Sequence, residues 1–507
     1  MNHVKLFFAL KHAVAQNKIV FNGLVFDEPF SLQSILEQRA SKYQSKKITT
    51  INLLESFDIR DYPWMSEGHP DLNNIHVKKK IYFTNCQFKR HVDFASAIFE
   101  DELYFADCKF EGNLKLCSSV CKGMVDIQRC DFGGTLDLSS AKLVGSFNLS
   151  SSVMQDLTAK RTTFDKTATF RGVDISRIVI ISKATFQGFT EFSDIKFSYV
   201  DSGRNDLGRN RIAFDQTEFK NNTDFGGAVF GCLASFKGCR FSHDVYFGPA
   251  RTHIVSGSHE TVFNRSACFN DVIFMGRSYF LVKFAESADF SDIVVTGQLF
   301  LYLNAAQQLN FKNAVVGDNF NFSPHINEHL LLDRETVRKF KHVSIKQSNT
   351  ISAMRYKARE MELYKQELQT DMKIYLLHIF GPRSSSGISA SDFLFKFGEW
   401  ILLTLNRISN NYGLSWMRGI CFTIASWFIF FTLTIIAEGG PMNQIIWFLN
   451  SCRLEQSLDY FWLFNLTNGL PNVPLTMQIL LPFLLGKVFI GYGIYQTISA
   501  FRKHSKL

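Results

Sequence analysis

Residues 214–247 read FDQTEFKNNTDFGGAVFGCLASFKGCRFSHDVYF, and phenylalanine falls at 214, 219, 225, 230, 236, 241 and 247. The steps alternate between five and six residues. That period is neither the 3.6 of a helix nor the 2 of a strand. Outward from this stretch the series extends back through Phe83, Phe88, Phe94, Phe99, Phe105 and Phe110, then Leu116, Cys121, Ile127, Phe132, Leu138, Leu143 and Leu149. After a one-residue slip it resumes at Phe164, Phe170, Ile175, Ile181, Phe186, Phe192 and Phe197, and later continues through Phe269, Phe274, Phe280, Phe290, Val295, Phe311, Val316 and Phe322. A short fixed period means that no single unit can bury its apolar residue alone, so the units stack into a solenoid.

The position two before each of these residues is usually small, as at Cys86, Ala97, Cys108, Cys130, Ala141, Ala168, Ala184, Ala228, Ala234, Cys239 and Ala288. Residues two apart in an extended segment face the same way. Each unit is therefore a short extended piece with a small and a large residue inward, followed by a tight turn. Four units make a coil of about 22 residues, with about ten coils spanning roughly 50 Å at the strand spacing. This resembles the pentapeptide-repeat family over residues 81–322, which implies a right-handed, four-sided β-helix; the α-helical connector and two-span tail read below resemble those of uncharacterised bacterial membrane proteins that also begin with such repeats. Fold class does not name a function. Cys86, Cys108 and Cys130 recur at the coil period and should stack in one column. They read as small core residues, since no CxxC or Cys/His cluster supports a metal. No cofactor is expected.

The 507 residues allow two or three domains. The amino terminus lacks a clean apolar core and cleavage site, and the ten cysteines form no clustered framework, so a reducing cytosol is expected for the bulk of the chain. The net charge is +9, yet residues 81–322 hold 25 Lys/Arg against 26 Asp/Glu. Some pentapeptide-repeat proteins mimic DNA with an acidic surface and bind topoisomerases. A neutral solenoid with a basic loop at Ser202–Arg211 departs from that pattern, and nucleic acid is not an expected partner.

Gly419–Ala437 is a nineteen-residue uncharged apolar run behind Trp416 and Arg418, and Leu475–Ala500 is a second run with the single charge Lys487. The second ends in a basic tail, while the segment joining the two carries Glu438, Glu455 and Asp459 against Arg453. Lys and Arg stay cytoplasmic, so both termini are expected in the cytosol of a bacterial inner membrane. Between the spans, YFWLFNL (460–466) precedes the turn-like Thr467-Asn468-Gly469-Leu470-Pro471-Asn472. This resembles the two-helix plus pore-loop plan of tetrameric cation channels and makes 460–472 a candidate re-entrant segment, with Thr467, Asn468 and Gly469 as candidate pore residues. The potassium filter sequence is absent from that loop. Gly491-Tyr492-Gly493 lies inside the second span, where small residues favour helix packing. Lys487 reads either as a pore-lining or carboxylate-pairing cation, or as a side chain snorkelling to the interface.

Residues 323–380 form a connector. Val337, Phe340, Ile351, Met354, Ala358, Met361, Leu368 and Met372 follow three-four spacing from a capped start at Asp333. Gln347–Thr350 could break it into a hairpin closing the solenoid; unbroken, it favours a coiled coil, with Ile351, Met354, Ala358 and Met361 as candidate oligomerisation residues. Glu360 and Glu362 read as a solvated face. Residues 381–413 hold a linker (GPRSSSGISAS) and an amphipathic stretch, Phe393–Ile408, expected on the inner membrane face. Residues 1–80 are expected to cap the first coil, with a helix near Ser31–Tyr43 and an extended piece near Ile48–Leu54; 414–507 is the two-span domain.

No catalytic motif is present, and His325/His329 read as surface histidines, so an enzyme is not expected. Two functional classes remain open. One is an oligomeric, ion-conducting membrane protein with a cytosolic solenoid sensor. The other is a non-conducting anchored scaffold that binds a cytosolic protein. Expected partners are the lipid bilayer, further copies of the chain and that protein ligand.

Overall fold

The computed structural model describes residues 80–89, 91–198, 212–249, 260–305, 308–316, 320–322, 328–331, 333–380, 390–437, 454–461 and 477–504. Before residue 80 it describes the strands Lys18–Asn22, Val25–Phe26, Phe30–Ser31, Ile51–Asn52 and Ile75–Val77. The chain forms two units, Met1–Leu332 and Asp333–Leu507.

The first unit is a parallel β-solenoid of about ten turns. Its strands are mostly two residues long, and each pairs in parallel with the strand one coil away. Phe83 lies against Phe105 and Phe105 against Ile127, each 22 positions on. The inward residues form four ladders. One passes through Phe83, Phe105 and Ile127, a second through Phe88, Phe110 and Phe132, a third through Val92, Leu114 and Leu136, and a fourth through Val77, Phe99 and Cys121. Within a ladder the rings stack almost parallel, as for Phe110 and Phe132 (4.6 Å, 2°) and Phe225 and Phe247 (4.6 Å, 1°). Between ladders they meet edge to face, as for Phe214 and Phe225 (89°) and Phe236 and Phe247 (90°). The strand spacing sets the first distance, and the preference of aromatic rings for edge-to-face contact suits the second angle.

The alternation of five and six has a backbone cause. Each five-residue step contains one residue in the left-handed region, and these recur at Asn85, Ser96, Asp107, Ser118, Arg129 and Ser140 (φ 52° to 59°), with Gly227 and Gly238 at equivalent corners. That conformation reverses direction within fewer residues; the six-residue steps turn without it. Asp93 and Asp137 accept hydrogen bonds from the amides of Ala95 and Ser139 (2.9 Å each), which pre-forms the turn. At the six-residue corner of Gly145 the coils come so close that a β-carbon would meet the carbonyl of Gly123.

The one-residue slip is a register shift. Phe132 pairs with Met154, 22 on, whereas Leu136 pairs with Leu157, 21 on. The shortened wall places Asp156 at 6% exposure, where Arg177 Nε (2.9 Å) and Thr135 Oγ1 (3.2 Å) donate to it. Elsewhere the period widens to 33 and then recovers its column, at Phe186–Phe219 and Phe230–Phe263. The extra residues include the basic loop, which lies outside the described residues.

Strands before residue 80 stack on the first of the repeat coils. Lys18–Asn22 pairs in parallel with Lys80–Thr84, Val25–Phe26 with Gln87–Phe88, Phe30–Ser31 with Val92–Asp93, and Ile51–Asn52 with Ile75–Val77. A coil thus precedes residue 81. Its ladder partners Phe21 and Phe83 are 62 positions apart, so no short period reveals it. The expected extended piece near Ile48–Leu54 is the strand Ile51–Asn52; the expected helix after Ser31 lies outside the described residues.

The cysteine column forms as spaced. Cys108 Sγ donates to the carbonyls of Ala106 (3.3 Å) and Phe83 (3.4 Å), and Cys130 Sγ to that of Gln128 (3.3 Å). The neighbouring Cys130 thiol and then burial push the Cys108 thiol up to about 12, which keeps it protonated and a poor metal ligand.

Phe219→Asp, Phe230→Asp or Phe241→Asp each places a carboxylate at a position no more than 1% exposed, and each should destabilise the fold by more than about 4 kcal/mol. Lys220→Ala and Lys237→Ala, on the outer surface, should stay within about 0.5 kcal/mol. Protease resistance and thermal melting of the five variants separate the two classes, and equal tolerance would refute the register.

Candidate functional site

The second unit begins with α1 (Arg334–Lys346) and α2 (Thr350–Phe380). The Asp333 carboxylate caps α1 by accepting from Thr336 N (2.8 Å). Ser348 turns left-handed (φ 56°) and Asn349 Oδ1 accepts from Ser352 N (3.1 Å), so the connector is a hairpin and not one long helix. Phe340 and Tyr356 pack across it with ring centroids 5.7 Å apart. The hairpin also corrects the reading of Glu360 as solvated. Glu360 is 5% exposed, and α1 delivers Arg338 Nε (3.1 Å) and Lys341 Nζ (2.5 Å) to its carboxylate. Burial would push this carboxyl up, but the hydrogen bonds from Lys341 and Arg338 outweigh it and hold the group below the usual glutamate range.

Helix α3 (Ala390–Asn410) runs antiparallel along α2. From one end to the other, Tyr375 stacks on Phe393 (4.7 Å), Lys396 bonds Asp371 (2.7 Å), Tyr364 donates to Glu399 (2.6 Å), Lys365 Nζ lies over the Trp400 ring (5.6 Å) and Arg407 pairs with Glu362 (3.2 Å). A tight bend follows. Asn411, Tyr412 and Gly413 are all left-handed (φ 51°, 58° and 92°), and Asn410 Oδ1 accepts from Gly413 N (2.9 Å). Asn410 Nδ2 donates to Gln496 Oε1 (2.5 Å), which ties the bend to the last helix.

Two helices are long and apolar enough to cross a membrane, at Trp416–Thr434 and Met477–Arg502, within α4 (Trp416–Ala437) and α6 (Met477–His504). Only 28% and 33% of those spans is buried, unlike the core helix of a water-soluble domain. They pack antiparallel, with Trp416 near Phe501 and Phe430 near Phe489 (5.1 Å). Gly419 lies against Thr497 and Gly493 against Thr423, so closely that a β-carbon would overlap the threonine hydroxyl. Between the spans, α5 (Leu454–Phe461) docks through Tyr460, which is fully buried with Phe431, Phe483 and Ile490. Gly486 leaves the space that the Tyr460 hydroxyl needs to reach the carbonyl of Phe483 (3.3 Å).

Lys487 points into this packing and is 4% exposed. Its ammonium lies 3.5 Å from the carbonyl of Asp459, at the end of α5, and 5.3 and 5.5 Å from the rings of Tyr460 and Phe483. Cations suit helix C-termini and aromatic faces. Lys487 therefore holds α5 against α6. Thr467, Asn468 and Gly469 lie outside the described residues, as does the rest of 460–472 beyond Phe461. Tyr492 and its flanking glycines are helical.

The four connector residues do not share one free face. Ile351 is 53% exposed, Ala358 is 6% exposed, and Met354 and Met361 are half-buried. Gly486 and Gly493 pack inside the chain. His329 lies on a 3₁₀ turn (Glu328–Leu330), His325 is outside the described residues, and no metal-binding group of three occurs among the described residues. Sequence reasoning missed Glu360, Asn410, Tyr460 and Gln496. Glu360 carried a detectable signal: a hairpin would bring the cations of 338–341 to it.

Glu360→Gln should destabilise this unit by about 1–3 kcal/mol. Because the folded carboxyl is depressed, its contribution is complete above the unfolded value of about 4.3 and is lost as pH falls through the folded value. The melting difference between the two proteins should be flat near neutrality and shrink below about pH 4; a difference that grows on acidification would contradict this.

No family model, curated protein or solved structure matches this chain.

Proposed function

We propose that this protein is a membrane-anchored interaction scaffold: a bacterial pentapeptide-repeat solenoid in the cytosol, carried on the inner membrane by α4 and α6, with both termini cytosolic. One observation carries the choice against a conducting pore. The exposed side chains through the middle of the spans are apolar, including Ile424, Phe428, Ile429 and Leu433 on α4 and Leu481, Leu484, Leu485 and Val488 on α6. Thr423, Ser426, Thr434, Lys487 and Gln496 are buried; Thr432, near the end of α4, keeps its hydroxyl on the carbonyl of Phe428, and Tyr495, 65% exposed, lies toward the basic end of α6. Two helices enclose no water path alone, so a pore would need several copies presenting a polar face to a common axis. An apolar outer face suits lipid.

The solenoid offers a long, rigid, nearly neutral wall, in keeping with a protein ligand and not with nucleic acid. The absence of catalytic motifs supports a binding role.

Purified full-length protein, reconstituted in planar bilayers, should give no conductance above protein-free controls, while membranes carrying it should retain it through alkaline carbonate washing. Reproducible unitary currents would overturn the scaffold reading in favour of a channel, and release by carbonate would remove the anchor.

Reporter fusions at the carboxyl end and at Arg453 should report opposite sides, cytosolic and periplasmic respectively. Periplasmic activity from the carboxyl-end fusion would reverse the orientation.

A further inference from the structure

Helix α3 is inside out by the standards of a water-soluble protein. An amphipathic helix normally turns its apolar stripe to the protein and its polar face to water. Here the side packed on α2 carries Lys396, Glu399, Trp400 and Arg407, joined to Asp371, Tyr364, Lys365 and Glu362. The opposite side holds Leu394 (66% exposed), Phe395 (68%), Ile401 (38%), Leu402 (61%) and Ile408 (58%). Their spacing, with Leu394, Ile401 and Ile408 seven apart and Phe395 and Leu402 beside them, makes one continuous stripe. Gly398 lies within it, and a β-carbon built there meets no atom within 4 Å, so the stripe is open to its surroundings.

What covers the stripe follows from where α3 is held. The left-handed bend at 411–413 joins α3 to the start of α4, the Asn410–Gln496 hydrogen bond fastens its end to α6, and α3 packs against both helices. It is thus fixed at the end of the two spans that carries Trp416, Arg418 and Arg502, an aromatic and basic girdle of the headgroup region. The lipid-facing apolar surface of α4 and α6 begins where α3 ends.

We infer that α3 lies in the plane of the bilayer surface, with the Leu394–Ile408 stripe immersed at the headgroup–acyl boundary and its ionic side bound to α2. The partner of this surface is lipid. The inference rests on the reading that α4 and α6 span. In-plane helices of this type bury their apolar face in that boundary. The ion pairs then sit on the water side of α3, where the α1–α2 hairpin is held to the membrane.

Cysteines added one at a time at Gly398, Leu402, Ile424 and Lys237 in full-length protein carrying Cys421→Ser, labelled with bimane in phosphatidylcholine–phosphatidylglycerol vesicles and read against the Cys421→Ser protein labelled in parallel, test this with nitroxide lipids. Labels at Gly398→Cys and Leu402→Cys should be quenched by a shallow nitroxide at least about twofold more than the solenoid label at Lys237→Cys. The span label at Ile424→Cys should respond to a deep nitroxide. If the two α3 labels behave like Lys237→Cys while Ile424→Cys is quenched, the spans stand and the inference falls, the stripe being covered by water or by protein. Quenching at Gly398 and Leu402 with none at Ile424 upholds the in-plane helix and removes the spanning reading. No quenching at any of the three overturns both.

Discussion

Everything in the first unit depends on one geometric requirement: an inward side chain must lie over its counterpart one coil away at the spacing of two hydrogen-bonded strands. Ring centroids 4.3 to 5.4 Å apart along the ladders are the result, from Phe230–Phe263 to Phe241–Phe274. The wall is built from two-residue strands, too short to be stable singly. They persist because the register is enforced by stacked rings inside and by a repeating turn at each corner. The left-handed residues at alternate corners are therefore part of the core's design, since a corner that took one residue more would rotate every later ring out of its column. Where the sequence does change length, at Met154–Leu157, a register shift absorbs it within one wall and the columns resume.

The second unit solves a different problem, which is how to place polar groups beside a surface that is apolar outward. The two long apolar helices bury Thr423, Thr434, Gln496 and Lys487 against the rest of the chain. Close packing at Gly419, Gly486 and Gly493 lets these groups meet hydroxyls, carbonyls and rings within the chain. The α1–α2 hairpin uses charge differently: one buried carboxylate, Glu360, receives two cations that each keep a share of solvent. A buried ion pair adds little net stability, yet removing one partner leaves a charge without compensation. Glu360 thus favours one register of the hairpin over its neighbours.

Period and composition are local properties, and they carried the solenoid well. The inward positions at Phe214–Phe247, the column of Cys86, Cys108 and Cys130, the slip after Leu149 and the two long apolar helices were all legible, because each follows from the order of residues along a few turns of chain. The first coil was not legible: its partners are separated by 62 positions, and a period needs near neighbours to be recognised. The environment of Glu360 was legible only if the connector is a hairpin; on one continuous helix, an acidic residue flanked by basic ones looks the same whether it faces water or a second helix.

What the sequence determined by itself was therefore the repeat, its inward face, the capped start at Asp333 and the length and polarity of the two long apolar helices. Each is a matter of spacing between residues of known hydrophobicity. Only the tertiary structure decided that the connector folds back at Ser348, that Lys487 closes on the end of α5, that Gly486 and Gly493 serve contacts within the chain, and that α3 binds α2 through its ionic side. These outcomes depend on which helix lies opposite which. That choice is made by packing between elements, in which side chains 16 to 70 positions apart compete for the same space, and no local pattern encodes the winner.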